Sequence, residues 1–141
     1  MPINKKIISF NVNGIRSRIK QLTEVIEQHN PDIIGLQETK VSNEEFPFED
    51  IKALGYTAHI HGQKGHYGVA FLSKIPAASI QCGFPQDHAD SQCRFIHAQY
   101  DLNGSSLHII NGYFPQGEGR AHPTKFPAKK KFFADLLDYL N

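Results

Sequence analysis

The chain has 141 residues, with 15 lysine or arginine residues against 14 aspartate or glutamate residues, a formal net charge of +1. This length suits one domain with one core, and the charge balance gives no electrostatic indication of a nucleic-acid partner. The two cysteines, Cys82 and Cys93, exclude a disulfide scaffold, and the apolar runs are too short to span a membrane. We therefore expect a cytoplasmic protein with no membrane partner.

A strand–helix–strand unit is predicted in the first forty residues. Residues 5–12 have the pattern of a strand, Asn13-Gly14 is a turn signal, and residues 32–38 resemble a second, buried strand. The apolar residues between them recur at helical spacing: Ile15, Ile19, Leu22 and Ile26. Asn30-Pro31 ends that helix, so the two strands are expected to be neighbours in one sheet.

The rest of the chain is predicted to be rich in strands. The predicted elements are a helix at 47–55, strands at 56–60, 68–74 and 75–81, a loop at 82–93, and a hairpin of strands at 94–102 and 106–114. An amphipathic helix follows from Ala128 to the last residue. Many strands with few helices predict an α/β layered sandwich with a mixed sheet.

Polar residues stand where several predicted strands end. Asn11 and Asn13 close the first strand, Glu38 closes the second, and Asn111 and Tyr113 close the last. If these ends share one sheet edge, a carboxylate and carboxamides would meet there, and such oxygen ligands suit Mg²⁺. The alternative is that each residue simply marks the point where a strand reaches solvent, and the pattern by itself favours this alternative.

Histidines and glycines cluster in the string "HIHGQKGHYG". His59 and His61 would share one strand face, and His66 would lie in the following loop. Surface and loop histidines are the favoured interpretation over a zinc site, because the spacing matches no zinc pattern. The glycine-rich turn is not a P-loop, since no Gly-Lys-Ser/Thr ending or helix follows it. It is either a tight loop or a phosphate contact through backbone N–H groups and Lys64.

A basic stretch of the sequence contains no acidic residue. Its five cations are Arg120, Lys125, Lys129, Lys130 and Lys131. The charges alone favour a solvated helix face. The composition of the segment that begins at "NGYFPQGE" also suits contact with phosphates.

Four segments together resemble one enzyme family. "FNVNGIRSR", "PDIIGLQETK", "GQKGHYGVAFLSK" and "INGYFPQGEGRAHPTKFPAKKKF" are similar, in the same order, to the exodeoxyribonuclease III family of apurinic/apyrimidinic endonucleases. "LQETK" points to the wider endonuclease/exonuclease/phosphatase superfamily, whereas "NGYFPQGE" with "HPTKFPAK" points to the bacterial exodeoxyribonuclease III branch.

The resemblance implies a four-layer α/β sandwich, of which this chain would form about half. It also implies hydrolysis of double-stranded DNA at abasic sites and 3′ ends with Mg²⁺, or Mn²⁺, as cofactor. The implied catalytic residues are Glu38 as the metal-binding carboxylate, Asn11 as a site amide at the metal, and Tyr113 beside the scissile phosphate. The implied DNA-binding residues are Asn13, Gly14, Arg16, Ser17, Gly65, His66, Gln116, Arg120 and Lys125.

Two motifs of the family do not occur in these 141 residues. They are a Gly-Asp-x-Asn motif, which acts on the attacking water and metal, and a Ser-Asp-His motif with the site histidine. We therefore expect residues 1–141 to be the N-terminal part of a single nuclease domain that is monomeric when complete. Alone, this part is expected to have very low activity and to leave one sheet face uncovered.

Two other functions remain as alternatives. The first is a superfamily phosphatase acting on lipid head groups, against which "NGYFPQGE" and the basic stretch argue. The second is a non-catalytic DNA-binding module.

Overall fold

A computed structural model of the chain describes residues 4–141. In chain order, the elements are β1 (Ile7–Asn11), α1 (Ile19–His29), β2 (Ile33–Gln37), α2 (Phe48–Ala53), β3 (Thr57–His61), β4 (Val69–Ser73), β5 (Ser79–Cys82), β6 (Phe95–Leu102), β7 (Ser105–Gly112) and α3 (Lys125–Leu140). They form a four-stranded sheet, sheet A, in the order β1-β2-β4-β3, and a three-stranded sheet, sheet B, in the order β5-β6-β7.

Sheet A begins with the predicted strand–helix–strand unit. β1 and β2 are parallel neighbours, with Ile7 opposite Ile33 and Asn11 opposite Gln37. The connection through α1 makes the parallel pairing possible, because parallel strands need a long crossover. The predicted neighbouring of the two strands is confirmed, and both end at the same edge of the sheet, which the sequence analysis left as a condition.

Sheet B is antiparallel and contains the predicted hairpin. β6 and β7 are joined by Asn103 and Gly104, whose φ angles are 51° and 82°. Two consecutive residues with positive φ are typical of the type I′ turn, which matches the twist of the flanking strands. The hairpin prediction is confirmed, with the turn at these two residues.

The two sheets pack face to face between helices. Leu22 of α1 and Ile51 of α2 share a core with one face of sheet A, where Leu36 and Leu72 lie. The opposite face of sheet A packs against the inner face of sheet B, and this core includes Phe71 and Tyr100. On the outer face of sheet B, three phenylalanines form an aromatic cluster that includes α3: Phe84, Phe95 and Phe132. The order helix, sheet, sheet, helix confirms the four-layer α/β sandwich.

The expectation of an uncovered sheet face holds at β1. Ile7 and Ser9 are exposed on the face of sheet A that packs against sheet B at the neighbouring Ile33, although helices lie on the outer faces of both sheets. Other exposed apolar residues lie on α3. α3 buries Phe132 but leaves Phe133, Leu137 and Leu140 exposed at 46%, 62% and 61%. Only part of the predicted amphipathic face of this helix is therefore covered.

The boundaries of α3 and β5 differ clearly from the prediction. α3 begins at Lys125 rather than Ala128, so Pro127 lies in its first turn. Proline is tolerated there because the first backbone N–H groups of a helix have no partner within it. The predicted strand at 75–81 is displaced to β5, Ser79–Cys82.

The start of α1 also differs from the prediction. Ile15 is fully buried but precedes α1, because Gly14 turns the chain with a φ of 99°. Within residues 4–141, no helix combines the length and apolar character needed to cross a membrane.

Candidate active site

The loops that follow β1 and β2 run side by side beyond the C-terminal ends of these two strands. This end of sheet A is called the edge below. Gly14 N–H donates to the backbone oxygen of Glu38 at 2.7 Å, and Ile15 N–H donates to that of Thr39 at 3.0 Å. On the other side, the N–H groups of Thr39 and Lys40 bond to the segment before β4. Three segments that are far apart in sequence therefore meet around Glu38.

The Glu38 carboxylate lies among polar partners and is partly buried. Asn11 Nδ2 donates to Glu38 Oε1 at 2.9 Å, and Lys40 Nζ lies 3.5 Å from Oε2. The side chain of Glu38 is 21% exposed. Asn11 Oδ1 accepts the backbone N–H of Asn13 at 3.0 Å, which fixes the orientation of the Asn11 amide. Asn11 thus aims its N–H group at the carboxylate.

The protonation states of Glu38 and Tyr113 are linked. Burial raises the pKa of Glu38, but hydrogen bonding from Asn11 and Tyr113 and the charge of Lys40 outweigh it, so the pKa of this carboxyl is lowered overall. Burial, followed by the charge of Glu38 and hydrogen bonding to it, raises the pKa of Tyr113. At neutral pH the site therefore holds an ionised carboxylate beside a protonated phenol.

Non-glycine residues with left-handed backbone concentrate at this edge. The φ angles of Asn13, Glu38, Lys40 and Tyr67 are 44°, 57°, 59° and 58°. Such conformations cost about 1–3 kcal/mol each and cluster at functional sites when the surrounding structure holds them. Here, hydrogen bonds between the three loops hold them, which supports a functional role for the edge.

Arg94 is a member of the site that the sequence analysis did not identify. Its Cζ atom lies 4.6 Å from the ring centroid of Tyr67 and 4.8 Å from that of Tyr113. Its Nη1 donates to the backbone oxygen of Tyr113 at 3.0 Å. Arg94 precedes β6, and no local motif marks it, because its partners come from two other segments of the chain.

A cavity of about 400 Å³ lies beside the Tyr113 ring. Arg94, Gln116 and Lys125 are among its lining residues. Lys125 forms an ion pair with Glu118 at 2.9 Å. The cavity therefore has one wall formed by the tyrosine and arginine and another formed by the basic start of α3.

The other predicted DNA-binding residues lie on exposed loops around this edge. Asn13 and Gly14 are part of the paired loops, and Gly65 N–H donates to the backbone oxygen of Lys40 at 3.0 Å. His66 is exposed beside Tyr67, with ring centroids 5.8 Å apart. Three further candidates are exposed: Arg16, which pairs with Glu45 at 3.4 Å, Ser17 and Arg120.

Two groups of polar residues differ from the sequence interpretation. Asn111 does not join the site edge, because its side chain is buried between the sheets at 5% exposure. His59 and His61 are partly buried rather than surface residues, and burial lowers the pKa of both. His61 Nε2 faces Gly83 at the end of β5, since β3 is the edge strand of sheet A nearest to sheet B.

The donor set at the edge fits a hard cation only in part. An ionised carboxylate at Glu38 is the kind of ligand that Mg²⁺ prefers. Within residues 4–141, no group of three or more His, Cys, Asp or Glu residues is arranged to hold a metal ion. A cation at Glu38 would therefore need water or groups from outside these residues to complete its coordination.

The fold and this edge define a class: a four-layer α/β sandwich with a strained, polar site where the strands of one sheet end. Comparison with known proteins identifies the family. The sequence profile of the Endonuclease/Exonuclease/phosphatase family matches residues 8–141, and the chain belongs to that family.

Within the family, the similarity is to DNA repair nucleases. The chain is 57% identical to exodeoxyribonuclease III of Haemophilus influenzae over 135 residues, 96% of this chain and 51% of the relative. It is 36% identical to a DNA-(apurinic or apyrimidinic site) endonuclease of Dictyostelium discoideum, covering 96% of this chain and 37% of the relative. The chain therefore spans about half or less of the length of these relatives.

Solved structures agree with the sequence comparison. The Neisseria 3′ phosphatase NExo, bound to a product DNA hairpin, superposes with a TM-score of 0.86 at 32% identity, covering 97% of this chain and 51% of that one. An AP endonuclease from Archaeoglobus fulgidus gives 0.85 at 34% identity, with the same coverage.

Proposed function

We propose that the protein acts in metal-dependent hydrolysis of DNA phosphodiesters, with incision on the 5′ side of abasic sites and 3′–5′ exonuclease and 3′-phosphatase action. This chain would supply the Glu38 side of the active site. The observation that carries the proposal is the meeting of Glu38, Asn11 and Tyr113 at one edge. The similarity to exodeoxyribonuclease III and to an apurinic or apyrimidinic site endonuclease supports DNA as the substrate.

In this proposal Glu38 holds the cation, and Asn11 orients the carboxylate or joins the coordination. A bound Mg²⁺ or Mn²⁺ would supply Lewis-acid polarisation of a phosphate oxygen. Asn11 Nδ2 keeps Glu38 Oε1 in place at 2.9 Å, and the lowered pKa of Glu38 keeps it charged at neutral pH.

Tyr113 would donate a hydrogen bond to the scissile phosphate. Its raised pKa keeps the phenol protonated, so it remains a donor under neutral conditions. Arg94 packs against the Tyr113 ring and bonds to its backbone oxygen, which restricts the position of the hydroxyl. Fixed donors of this kind stabilise charge that develops during reaction.

Groups at or near the surface around the edge would contact the DNA backbone. The loop after β1 offers Asn13, Gly14, Arg16 and Ser17; the loop before β4 offers Gly65 and His66; and the segment before and at the start of α3 offers Gln116, Arg120 and Lys125. Contacts to phosphates position DNA without reading its sequence, which suits recognition of a lesion in any sequence.

Two measurements on the 141-residue chain test the proposal: DNA binding and Mg²⁺-dependent incision. We expect fluorescence anisotropy to detect binding to a labelled DNA duplex that contains one abasic-site analogue. The affinity should fall as the salt concentration rises. With Mg²⁺ we expect incision at least about a hundredfold slower than that of a complete family enzyme, because no general base is evident among residues 4–141. Cleavage at the rate of a complete enzyme would contradict the incomplete site, and absence of binding would contradict the DNA function.

A non-catalytic DNA-binding module is the second candidate, favoured by the lack of a clustered ligand set among residues 4–141. Glu38→Ala separates the two candidates. For a nuclease it abolishes the Mg²⁺-dependent incision, whereas for a pure binder it leaves affinity unchanged or higher, since a negative charge near phosphate is lost. Glu27→Ala, on the exposed side of α1, is the matched control.

A further inference from the structure

Two buried polar connections cross the otherwise apolar space between the sheets. The first joins Ser73 of β4 to Tyr100 of β6 through their hydroxyl groups at 2.6 Å. The second is made by Asn111 of β7. The pairing of β2 with β4 places Ser73 opposite Ile33, at the end of the sheet away from Glu38. The Asn111 side chain therefore connects the two sheets near the active-site edge, and the Ser73–Tyr100 hydrogen bond connects them at the opposite end.

The Asn111 side chain uses its hydrogen-bonding groups on sheet A. Its Nδ2 donates to the backbone oxygens of Leu36 at 3.0 Å and Ala70 at 2.9 Å. Its Oδ1 accepts from Gln37 Nε2 at 2.7 Å. One side chain thus joins β7 to both β2 and β4, and its two contacts on β2 are the residues that immediately precede Glu38.

Gly35 provides the space for this side chain. A Cβ atom at Gly35 would lie 3.2 Å from Asn111 Cγ, closer than most side-chain contacts allow. Gly35 is not among the glycines with positive φ, so its backbone does not require glycine. The small residue is needed here for the close approach of Asn111.

We propose that Asn111 is a positioning residue that sets the separation between Glu38 on sheet A and Tyr113 on sheet B. Tyr113 follows Asn111 by two residues, and Glu38 follows its partner Gln37 by one, so the side chain links the two strands just behind the reacting groups. The catalytic meaning of this link rests on the proposed function. The link itself is a property of the fold and can be tested without catalysis.

The test measures the ¹³Cζ NMR chemical shift of Tyr113 at pH 7, in the 141-residue chain with ¹³C-labelled tyrosines. Glu38→Gln should shift this signal, because it removes the carboxylate charge that acts on the Tyr113 hydroxyl. We expect Asn111→Ala and Gly35→Ala to shift it in the same direction while the chain stays folded. Tyr100→Phe removes the other inter-sheet bond and is the matched control, expected to leave the Tyr113 signal in place.

Three results would overturn the proposal. The first is an unchanged Tyr113 signal in folded Asn111→Ala, and the second is a shift of equal size in Tyr100→Phe. The third is an unchanged signal in Glu38→Gln. If Asn111→Ala does not fold, Gly35→Ala and Asn111→Ser decide in the same way, since both keep a polar group at position 111.

Mn²⁺ binding adds a readout that separates this inference from the proposed function. We expect Asn111→Ala to weaken Mn²⁺ binding about tenfold, as loss of a supporting contact typically does, and Tyr100→Phe to leave it unchanged. Equal Mn²⁺ affinity in Asn111→Ala would overturn the proposed role in the metal site. If Mn²⁺ does not bind to the wild-type chain, the proposed function fails, while the Tyr113 signal still decides the positioning role.

Discussion

Among single residues, Arg94 has the most unusual surroundings. Its guanidinium contacts the rings of both Tyr67 and Tyr113, which are themselves neighbours with centroids 6.5 Å apart. A planar cation can contact both rings and still donate to a backbone oxygen, whereas an ammonium group cannot reproduce this arrangement. Arg94 therefore joins the loop before β4 to the end of β7.

Arg94→Lys should lower the free energy of unfolding by about 1–2 kcal/mol, because stacking on two rings is lost while the charge remains. Urea unfolding followed by circular dichroism measures the change. Arg120→Lys, on an exposed loop, should change stability by less than about 0.5 kcal/mol. Equal effects of the two substitutions would show that the stacking contributes little.

The sequence predicted the residues at strand ends better than those whose role depends on distant contacts. Asn11 is the last residue of β1, and Glu38 and Tyr113 directly follow β2 and β7. Parallel pairing of β1 with β2 is enough to bring Asn11 and Glu38 together. Arg94 and Asn111 could not be assigned in this way. Their partners lie in other segments, and whether a polar side chain at a strand end points to solvent or between two sheets depends on the packing of the sheets.

Among the connecting elements, two glycines illustrate different requirements. Gly104 in the hairpin turn has a φ of 82°, and a Cβ atom there would meet nothing within 4 Å. Gly68, just before β4, has a φ of 89°, and a Cβ atom there would lie 2.1 Å from Thr39 Oγ1. The hairpin requires only the backbone conformation, whereas the loop beside Glu38 requires the space as well.

Gly104→Ala should therefore destabilise the protein by about 1 kcal/mol, the cost of a left-handed alanine. Gly68→Ala should cost about 3 kcal/mol or more, because overlap with buried Thr39 adds to the same backbone cost. Thermal or urea unfolding of both variants provides the comparison. Similar losses would mean that the Thr39 loop moves aside easily, contrary to the close packing described for the site.

Elements with local sequence signals were predicted correctly, but their first and last residues were not. The Asn103-Gly104 turn and the helical spacing that led to α1 are local patterns, and both elements form. The sequence places the start of α3 three residues too late, at Ala128, because the hydrophobic spacing does not show that the first turn of a helix accepts Pro127. β5 was displaced because its position depends on pairing with β6, with Ser79 opposite Gln99, rather than on its own sequence.

Across the whole molecule, partly buried histidines couple stability to pH. Burial lowers the pKa of His59, His61 and His97, and the neighbouring His108 lowers that of His97 further. Asp87 opposes the effect at His61 without reversing it. A histidine with a lowered pKa in the folded state takes up its proton more readily when unfolded, so acid favours unfolding.

We expect the free energy of unfolding to fall as pH decreases from about 7, beginning near the ordinary histidine pKa of 6.5. His97→Gln should make this dependence shallower, and His29→Gln, exposed at the end of α1, should leave it nearly unchanged. Urea unfolding at intervals between pH 7.5 and pH 5.5 would measure it. A stability that rises toward acid would contradict burial as the dominant cause.

Several large apolar side chains remain exposed on the molecule as a whole. They are Ile7, Phe48, Ile110, Phe114, Phe133, Leu137 and Leu140. Leu137 and Leu140 lie on α3 and are the most exposed of this set, at 62% and 61%. Exposed apolar groups in proximity promote association.

We expect the 141-residue chain to self-associate as its concentration rises, measured by sedimentation velocity. The double substitution Leu137→Glu and Leu140→Lys should reduce this association without lowering the melting temperature, because neither side chain belongs to a buried core. A wild-type chain that stays monomeric at high concentration would contradict this expectation.

Glu38 is proposed to hold a divalent cation where β1 and β2 end. Paramagnetic broadening by Mn²⁺ of the backbone amide signals of the 141-residue chain tests it most directly, because it detects weak binding and locates it. We predict that the signals of Gly14, Glu38 and Thr39 broaden first, that Glu38→Gln removes the effect, and that Glu27→Gln does not. Broadening centred elsewhere, or unchanged in Glu38→Gln, would contradict the account.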